Sequence, residues 1–344
     1  MGLDRRQFTA LTLAATLATP AAHAQTRTPL VIARGTGNSD WPEGTRGAYD
    51  LGITQGADFI EASLVATQDG VLVVRRDNEL STSTDVAIRP EFAGRRTSKT
   101  INGATVEGWL SETFTLAELK TLTCGAHATT AKRKAAGPSI LTFKEVIDIA
   151  RAGSVRSARV IGVCARLVRP SYFASVGLPL EPRLADVIRA NGYDSPAAAM
   201  FVQSFEPGAL KAIGVLCRTR RVQLVDSQGG PPDMISPDGL KTIRTYAEGI
   251  GPNAAIVLDL TARAAAPGAL VDFAHGAGLA VQAWTAVGAE ALPPPPFRRG
   301  DARGYLEAVF AAGVDGFSID GVALAVRARA DALSQLRRQT QKPS

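Results

Sequence analysis

DFIEASLVAT, residues Asp58 to Thr67, is the stretch on which the fold turns. Its apolar residues run almost unbroken for the length of one strand, the pattern of a strand covered on both faces. Two polar side chains, Glu61 and Ser63, interrupt the run two residues apart, so the pleat points both the same way. A strand of this kind needs parallel neighbours and helical crossovers from the rest of the chain.

The chain supplies them. LVIAR (30–34), RVIGVCARL (159–167), AAMFVQSF (198–205), RVQLVDS (221–227), AAIVLDL (254–260), GLAVQAWT (278–285) and GFSID (316–320) bring the strand candidates to eight. Amphipathic stretches lie between most of them: LEPRLADVIRANG (180–192), GALVDFAHGAG (268–278) and YLEAVFAAG (305–313), the last two closing on Gly as helices often do. Eight doubly buried strands with helical crossovers predict an α/β fold, a (β/α)8 TIM barrel. A doubly wound open sheet is the alternative, because strand count alone does not close a barrel. Two stretches break the alternation. Residues 81–112 are polar with scattered aromatics and read as a small inserted subdomain. Residues 286–301, with Pro293 to Pro296, read as a stiff loop over the barrel mouth.

The first residues stand outside this pattern. MGLDRRQFTALTLAATLATPAAHA, residues 1–24, has Arg5-Arg6 before a short apolar run and an Ala22-His23-Ala24 cleavage site, the pattern of a twin-arginine export signal. The expected location is the periplasm or outside the cell. No later run reaches the ~20 apolar residues that span a bilayer. The net charge of +6, spread over 38 basic and 32 acidic residues, includes no Lys/Arg run dense enough for nucleic acid. Cys124, Cys164 and Cys217 lack the close spacings of a zinc site; an export compartment permits one disulfide, whose pairing the sequence does not give. Cys164 sits in an apolar strand pattern and reads as core.

VIARG (31–35), PEGT (42–45), GADFIEASLVATQDGVLVVRRDNEL (56–80), FTLAELKTL (114–122), TFKEVIDIA (142–150), SYFASVGLPLE (171–181), FVQSFEPGALKA (201–212), EGIGPN (248–253) and AGVDGF (312–317) together resemble the glycerophosphodiester phosphodiesterase family, from about Leu30 to Ala328. It is especially similar to the periplasmic branch, barrels with a small insertion after the second strand. The resemblance implies a metal-dependent phosphoric diester hydrolase of lipid and glycerol metabolism. Such an enzyme cuts glycerol phosphodiesters to glycerol 3-phosphate and an alcohol, with two histidines moving protons and carboxylates holding Ca2+ or Mg2+ on the phosphate.

This chain departs from that pattern at nearly every reacting position. Aligned without a gap, Arg34 stands on the first histidine; shifted by one, Ala33 does. Glu43 of the family's P-E pair persists. The E-x-D of strand two is Glu61-Ala62-Ser63, and the H-D that follows is Arg76-Asp77. On strand three, the P-E-x-K-x-P motif reads Ala165-Arg166-Leu167-Val168-Arg169-Pro170, so the second metal Glu is Arg166 and the Lys is Val168. A guanidinium keeps its proton at any physiological pH and cannot act as a base. Glu61 alone remains as a metal ligand, and one carboxylate holds a hard dication weakly. Ser204, Phe205, Glu206, Asp226 and Trp284 occupy positions that line the family's pocket, and Gln282 stands where a histidine is common. For Phe205 and Trp284, packing at the barrel mouth is an equal reading. His23 leaves with the signal, His127 lies in a polar loop, and His275 reads as a helix-surface residue.

Three functions are open on these residues. In the first, Arg34, Arg76 and Arg166 converge around Glu61 and hold a small phosphate or phosphodiester anion without turnover and without a cofactor, Arg166 filling the place of the metal. A plain structural reading stands beside it, in which the arginines merely pair with Glu43, Glu61 and Asp77. In the second, the chain is an active hydrolase using Glu43, Glu61 or Asp226 as bases, with Ca2+ or Mg2+. In the third, it is an interaction protein whose insertion or proline loop meets a partner that nothing in the sequence selects.

Overall fold

A computed structural model describes residues 28–35, 41–125, 139–226, 232–258, 269–285, 297 and 300–340. The expected export signal, His127 and most of the proline loop lie outside these residues.

The chain forms a closed eight-stranded parallel barrel. Its strands are β1 (Leu30–Ala33), β2 (Phe59–Ala66), β6 (Gly162–Leu167), β7 (Met200–Ser204), β8 (Arg220–Val225), β9 (Gly249–Pro252), β10 (Ala280–Trp284) and β11 (Gly316–Ile319), each paired in parallel with the next. Closure comes from β1, which pairs with β11 from Leu30↔Gly316 and with β2 from Ile32↔Phe59. The open doubly wound sheet is thereby excluded. Most crossovers are helical, among them Phe143–Ser157, Leu180–Ala190, Ala269–Gly276 and Ala302–Ala311. The first of these starts at a capping box: Thr142 accepts from the Glu145 amide while Glu145 accepts from the Thr142 amide.

One strand is not where the apolar pattern places it. The described part of AAIVLDL (254–260) is no strand: Ala254–Val257 forms a helical turn capped by Asn253, whose side chain accepts from the Ala255 amide, and Asp259 and Leu260 lie outside the described residues. The sixth barrel strand is β9, just upstream, with the sequence Gly-Ile-Gly-Pro. At Gly251 a Cβ would come within 2.6 Å of Leu224 Cδ2, so the strand packs here only without a side chain. The residue type that lets it fit also erases its sequence pattern.

The insertion follows β3 (Leu72–Val74), a short strand antiparallel to the end of β2. Within it, β4 (Thr97–Ile101) and β5 (Ala104–Gly108) form a hairpin that turns at Asn102-Gly103. A small core holds the insertion together: Phe92 stands edge-on to Phe114 at 5.2 Å, and Arg95 lies over Phe114 while pairing with Glu118 at 2.6 Å.

Inside the barrel, alternation builds two layers. Ile32, Phe59, Cys164, Phe201 and Val222 make a buried apolar layer near the N-terminal ends of the strands. Two residues further along the same strands stand Arg34, Glu61, Arg166, Gln203 and Leu224. All three cysteines are buried and free, Cys164 in the apolar layer as its pattern predicts.

Candidate functional site

The C-terminal mouth is built from the residues that follow each strand. Arg34 comes directly after β1 and is 6% exposed. Its amide donates to the Ile319 carbonyl at 3.2 Å, and its Nη1 donates to the carbonyl of Thr285, which draws the side chain toward β10. Gly35 then turns the chain with φ +61°; a Cβ there would meet the Tyr49 ring at 2.4 Å. Tyr49 donates its hydroxyl to the Glu61 carbonyl at 3.1 Å, tying the helix Arg46–Thr54 to β2. Burial, then the nearby Glu61 and Glu43 carboxylates, pushes this phenol far above its ordinary range.

Glu61, Ser63 and Arg166, the positions that the resemblance aligns with metal carboxylates, meet directly. Arg166 donates from Nε to Ser63 Oγ at 3.1 Å and lies 3.9 Å from Glu61 Oε1. Ser63 and Glu61 are each 4% exposed, so the pair sits in the throat of the barrel. Burial pulls the Arg166 guanidinium below its usual range; Glu61 opposes this, while Arg34 and Arg76 add to it. A guanidinium starts so far above neutrality that it keeps its charge.

Arg76 is exposed at the end of β3. Its amide donates to Glu43 Oε1 at 3.0 Å, while the Glu43 carbonyl accepts from Nη1 of the fully buried Arg75 at 3.0 Å. Glu43 thus braces the loop with its main chain and side chain. The convergence expected of the three arginines is uneven: Arg166 joins Glu61, Arg34 turns to the rim at Thr285, and Arg76 stays in solvent. Simple pairing with Glu43, Glu61 and Asp77 holds for Glu61; Asp77 is taken by Arg169 instead.

Arg169 and Asp320 enter the site without having stood out in the sequence. Arg169 has φ +49° and donates to Asn78 Oδ1 and Asp77 Oδ2, both at 2.9 Å. Asp320, next after β11, has a buried Oδ1 with no hydrogen-bond partner among the described residues. Burial raises its pKa above 3.8, with Arg34 and Arg76 pulling down and Glu61 and Glu43 pushing up. Period-two spacing in Gly316, Ser318, Asp320 was the available clue.

Phe205, 38% exposed, meets Trp284 edge-on at 5.6 Å. The Trp284 indole donates to the Gly251 carbonyl at 3.0 Å, so it fastens β10 to β9 and its N–H is committed to the protein. Gln282 lies inside the barrel, accepting from Gln203 at 3.2 Å. Between the ends of β6 and β7 opens a cavity of about 270 Å3 bounded by Arg166, Arg169, Phe205, Glu206 and the hairpin tip Asn102. A second cavity, of about 310 Å3, lies at the opposite end of the barrel against Phe59 and Phe201. His275 pairs with Asp315 at 2.8 Å on that same N-terminal side, apart from the mouth.

The donor set of the described residues does not fit a divalent cation. Among the described residues no three His, Cys, Asp or Glu side chains come together to hold a metal ion, and the Arg166 guanidinium stands beside Glu61. No helix among the described residues is long and apolar enough to cross a membrane.

A closed parallel barrel with helical crossovers, a charged C-terminal mouth and an insertion after its second strand defines a TIM barrel. The model of the glycerophosphoryl diester phosphodiesterase family matches residues 34–324, and the chain belongs to that family. It is similar to glycerophosphodiester phosphodiesterase GDPD6 of Arabidopsis thaliana, 30% identical over 283 residues covering 76% of this chain and 75% of the relative. Among solved structures it is similar to a glycerophosphodiester phosphodiesterase from Agrobacterium tumefaciens, with TM-score 0.59 and 20% identity over 87% of this chain and 99% of that one. It is also similar to an Oleispira antarctica phosphodiesterase in complex with the product sn-glycerol-3-phosphate, with TM-score 0.60 and 17% identity over 89% and 98% of the two chains. At these identities the structural likeness speaks for the fold.

Proposed function

We propose that this chain is a glycerophosphodiester phosphodiesterase homologue impaired in hydrolysis, which binds a small phosphate-type anion at its barrel mouth through arginines. The observation that carries this reading is Arg166, hydrogen-bonded to Ser63 and ion-paired with Glu61 on three positions aligned with the family's metal carboxylates. A fixed positive charge there repels a dication and attracts the phosphate that the cation would otherwise have neutralised. Catalysis needs more than anion binding. A group of near-neutral pKa must move protons, and neither aligned position holds a histidine: the first is Arg34 or Ala33, the second Arg76. The bound sn-glycerol-3-phosphate of the Oleispira antarctica structure supports the ligand class.

A second reading, residual hydrolysis, draws on Asp320, a mouth carboxyl held above its ordinary pKa by burial. One positioned acid or base contributes ~10² to 10⁴-fold, little against the very slow uncatalysed cleavage of phosphate esters. The deciding experiment measures glycerophosphocholine hydrolysis by purified protein with Ca2+ or Mg2+, beside calorimetric titration of sn-glycerol 3-phosphate in chelator. Binding without turnover is the expected result. Robust metal-stimulated cleavage, or no binding in chelator, overturns the proposal.

A further inference from the structure

The mouth arginines do not share one space. Arg34 is drawn to the Thr285 carbonyl and Arg76 stands in solvent, whereas the open cavity lies off the barrel axis, between the ends of β6 and β7. Arg166 and Arg169 form its cationic walls.

Both present donors that the protein leaves over. Arg166 engages Ser63 through Nε, and its two Nη groups have no acceptor among the described residues. Arg169 spends both Nη groups on Asn78 and Asp77, and its Nε has no acceptor among the described residues. Its position is fixed from behind. Asn78 donates to the buried Glu112 at 3.1 Å, Tyr172 donates its hydroxyl to the same carboxylate, and Lys99 of β4 lies 3.5 Å from it. This network ties the insertion hairpin to Arg169, holding a non-glycine residue in a left-handed conformation that costs about 1 kcal/mol or more. Strain kept up by a buried network marks a side chain whose placement matters.

The opposite wall is different in kind. Phe205 offers an exposed aromatic face, and Glu206, whose Oε2 accepts from the Ser171 amide at 3.0 Å, has no donor to Oε1 among the described residues, which leaves that oxygen for a hydroxyl. The volume of about 270 Å3 lies at the small end for ligand sites and admits a molecule of few carbons.

We propose that the anion of a small hydroxylated organic phosphate seats between Arg166 and Arg169, off the barrel axis, with its carbons against Phe205 and a hydroxyl toward Glu206. Arg169 then supplies the charge that Val168 cannot, and the insertion helps define specificity. This rests on the reading that the mouth binds a phosphate-type anion.

Calorimetric titrations in chelator with sn-glycerol 3-phosphate and with inorganic phosphate test it, on wild type, Arg169→Gln, Arg34→Gln, Phe205→Ala and the surface control Lys144→Gln, each checked for folding by its thermal melt. Arg169→Gln is expected to weaken both ligands on the order of ten- to a hundredfold, the scale of a lost charge-assisted hydrogen bond. Arg34→Gln costs less, Phe205→Ala weakens glycerol 3-phosphate more than phosphate, and Lys144→Gln changes neither. If Arg34→Gln loses binding and Arg169→Gln does not, the anion lies on the axis: this inference falls and the proposed function stands. If wild type binds neither ligand, both fall.

Discussion

Two layers of the same barrel interior, two residues apart along the same strands, carry opposite chemistry. The lower one, Ile32, Phe59, Cys164, Phe201 and Val222, is apolar and buried. The upper one, with Arg34, Glu61 and Arg166, holds charges that are almost as deeply buried. The lower layer stabilises by area removed from water and tolerates any side chains of fitting volume. The upper layer gains little, because desolvation offsets the attraction of a buried ion pair. Within the barrel interior, then, the lower layer serves stability, while function depends on which residues occupy the upper one.

The largest effect should come from cutting into the lower layer. Phe59 contacts Phe201 with ring centroids 5.0 Å apart and is 8% exposed. Phe59→Ala is expected to lower unfolding stability by about 3–5 kcal/mol in urea denaturation. A loss below about 1 kcal/mol would mean that the cavity of about 310 Å3 beside this ring already leaves it loosely packed.

The next effect is smaller and tests what the upper layer has lost. Ser63 and Arg166 face each other across the β2–β6 register, Ser63↔Arg166. The double variant Ser63→Asp, Arg166→Glu brings three carboxylates together with Glu61, the donor type that hard dications take. Added Ca2+ at a hundred times its Kd should then stabilise the variant by about 2.7 kcal/mol, read as a raised Tm, with no shift in wild type. A wild-type shift of the same size would show that the native mouth binds the cation despite Arg166.

How legible each layer was follows from its chemistry. Seven strands announced themselves because doubly buried strands are continuous apolar runs, as in DFIEASLVAT and AAMFVQSF. The strand Gly249–Pro252 was hidden because its glycines leave no side-chain pattern, and the apolar run beside it turned out to start a helical turn. β3 is only three residues long, yet it is what carries Arg75 and Arg76 toward the mouth. In the site, Arg34, Glu61 and Arg166 could be placed by their position on recognisable motifs. Arg169 could not, because its role depends on one left-handed backbone angle and a network through Asn78 and Glu112. Asp320 had only the period-two spacing of its strand to mark it, because its neighbours Arg34 and Glu61 reach it only when β11 closes against β1.

Asp320 offers the smallest effect and a sharp one, since it asks whether a carboxyl in the upper layer titrates as a buried group. Burial holds its pKa above the ordinary 3.8, so the folded chain binds this proton more tightly than the unfolded chain does. The associated stability is fully present below pH 3.8 and is lost as pH rises through the higher folded value. Asp320→Asn cannot titrate. The difference in urea midpoint between wild type and Asp320→Asn should therefore move steadily against wild type as pH climbs from 3.8 through that window, then level off. A difference that stays flat with pH would place the ionised carboxylate in a compensated environment. Arg34 and Arg76 would then be countering the desolvation of Asp320, as the apolar layer beneath cannot.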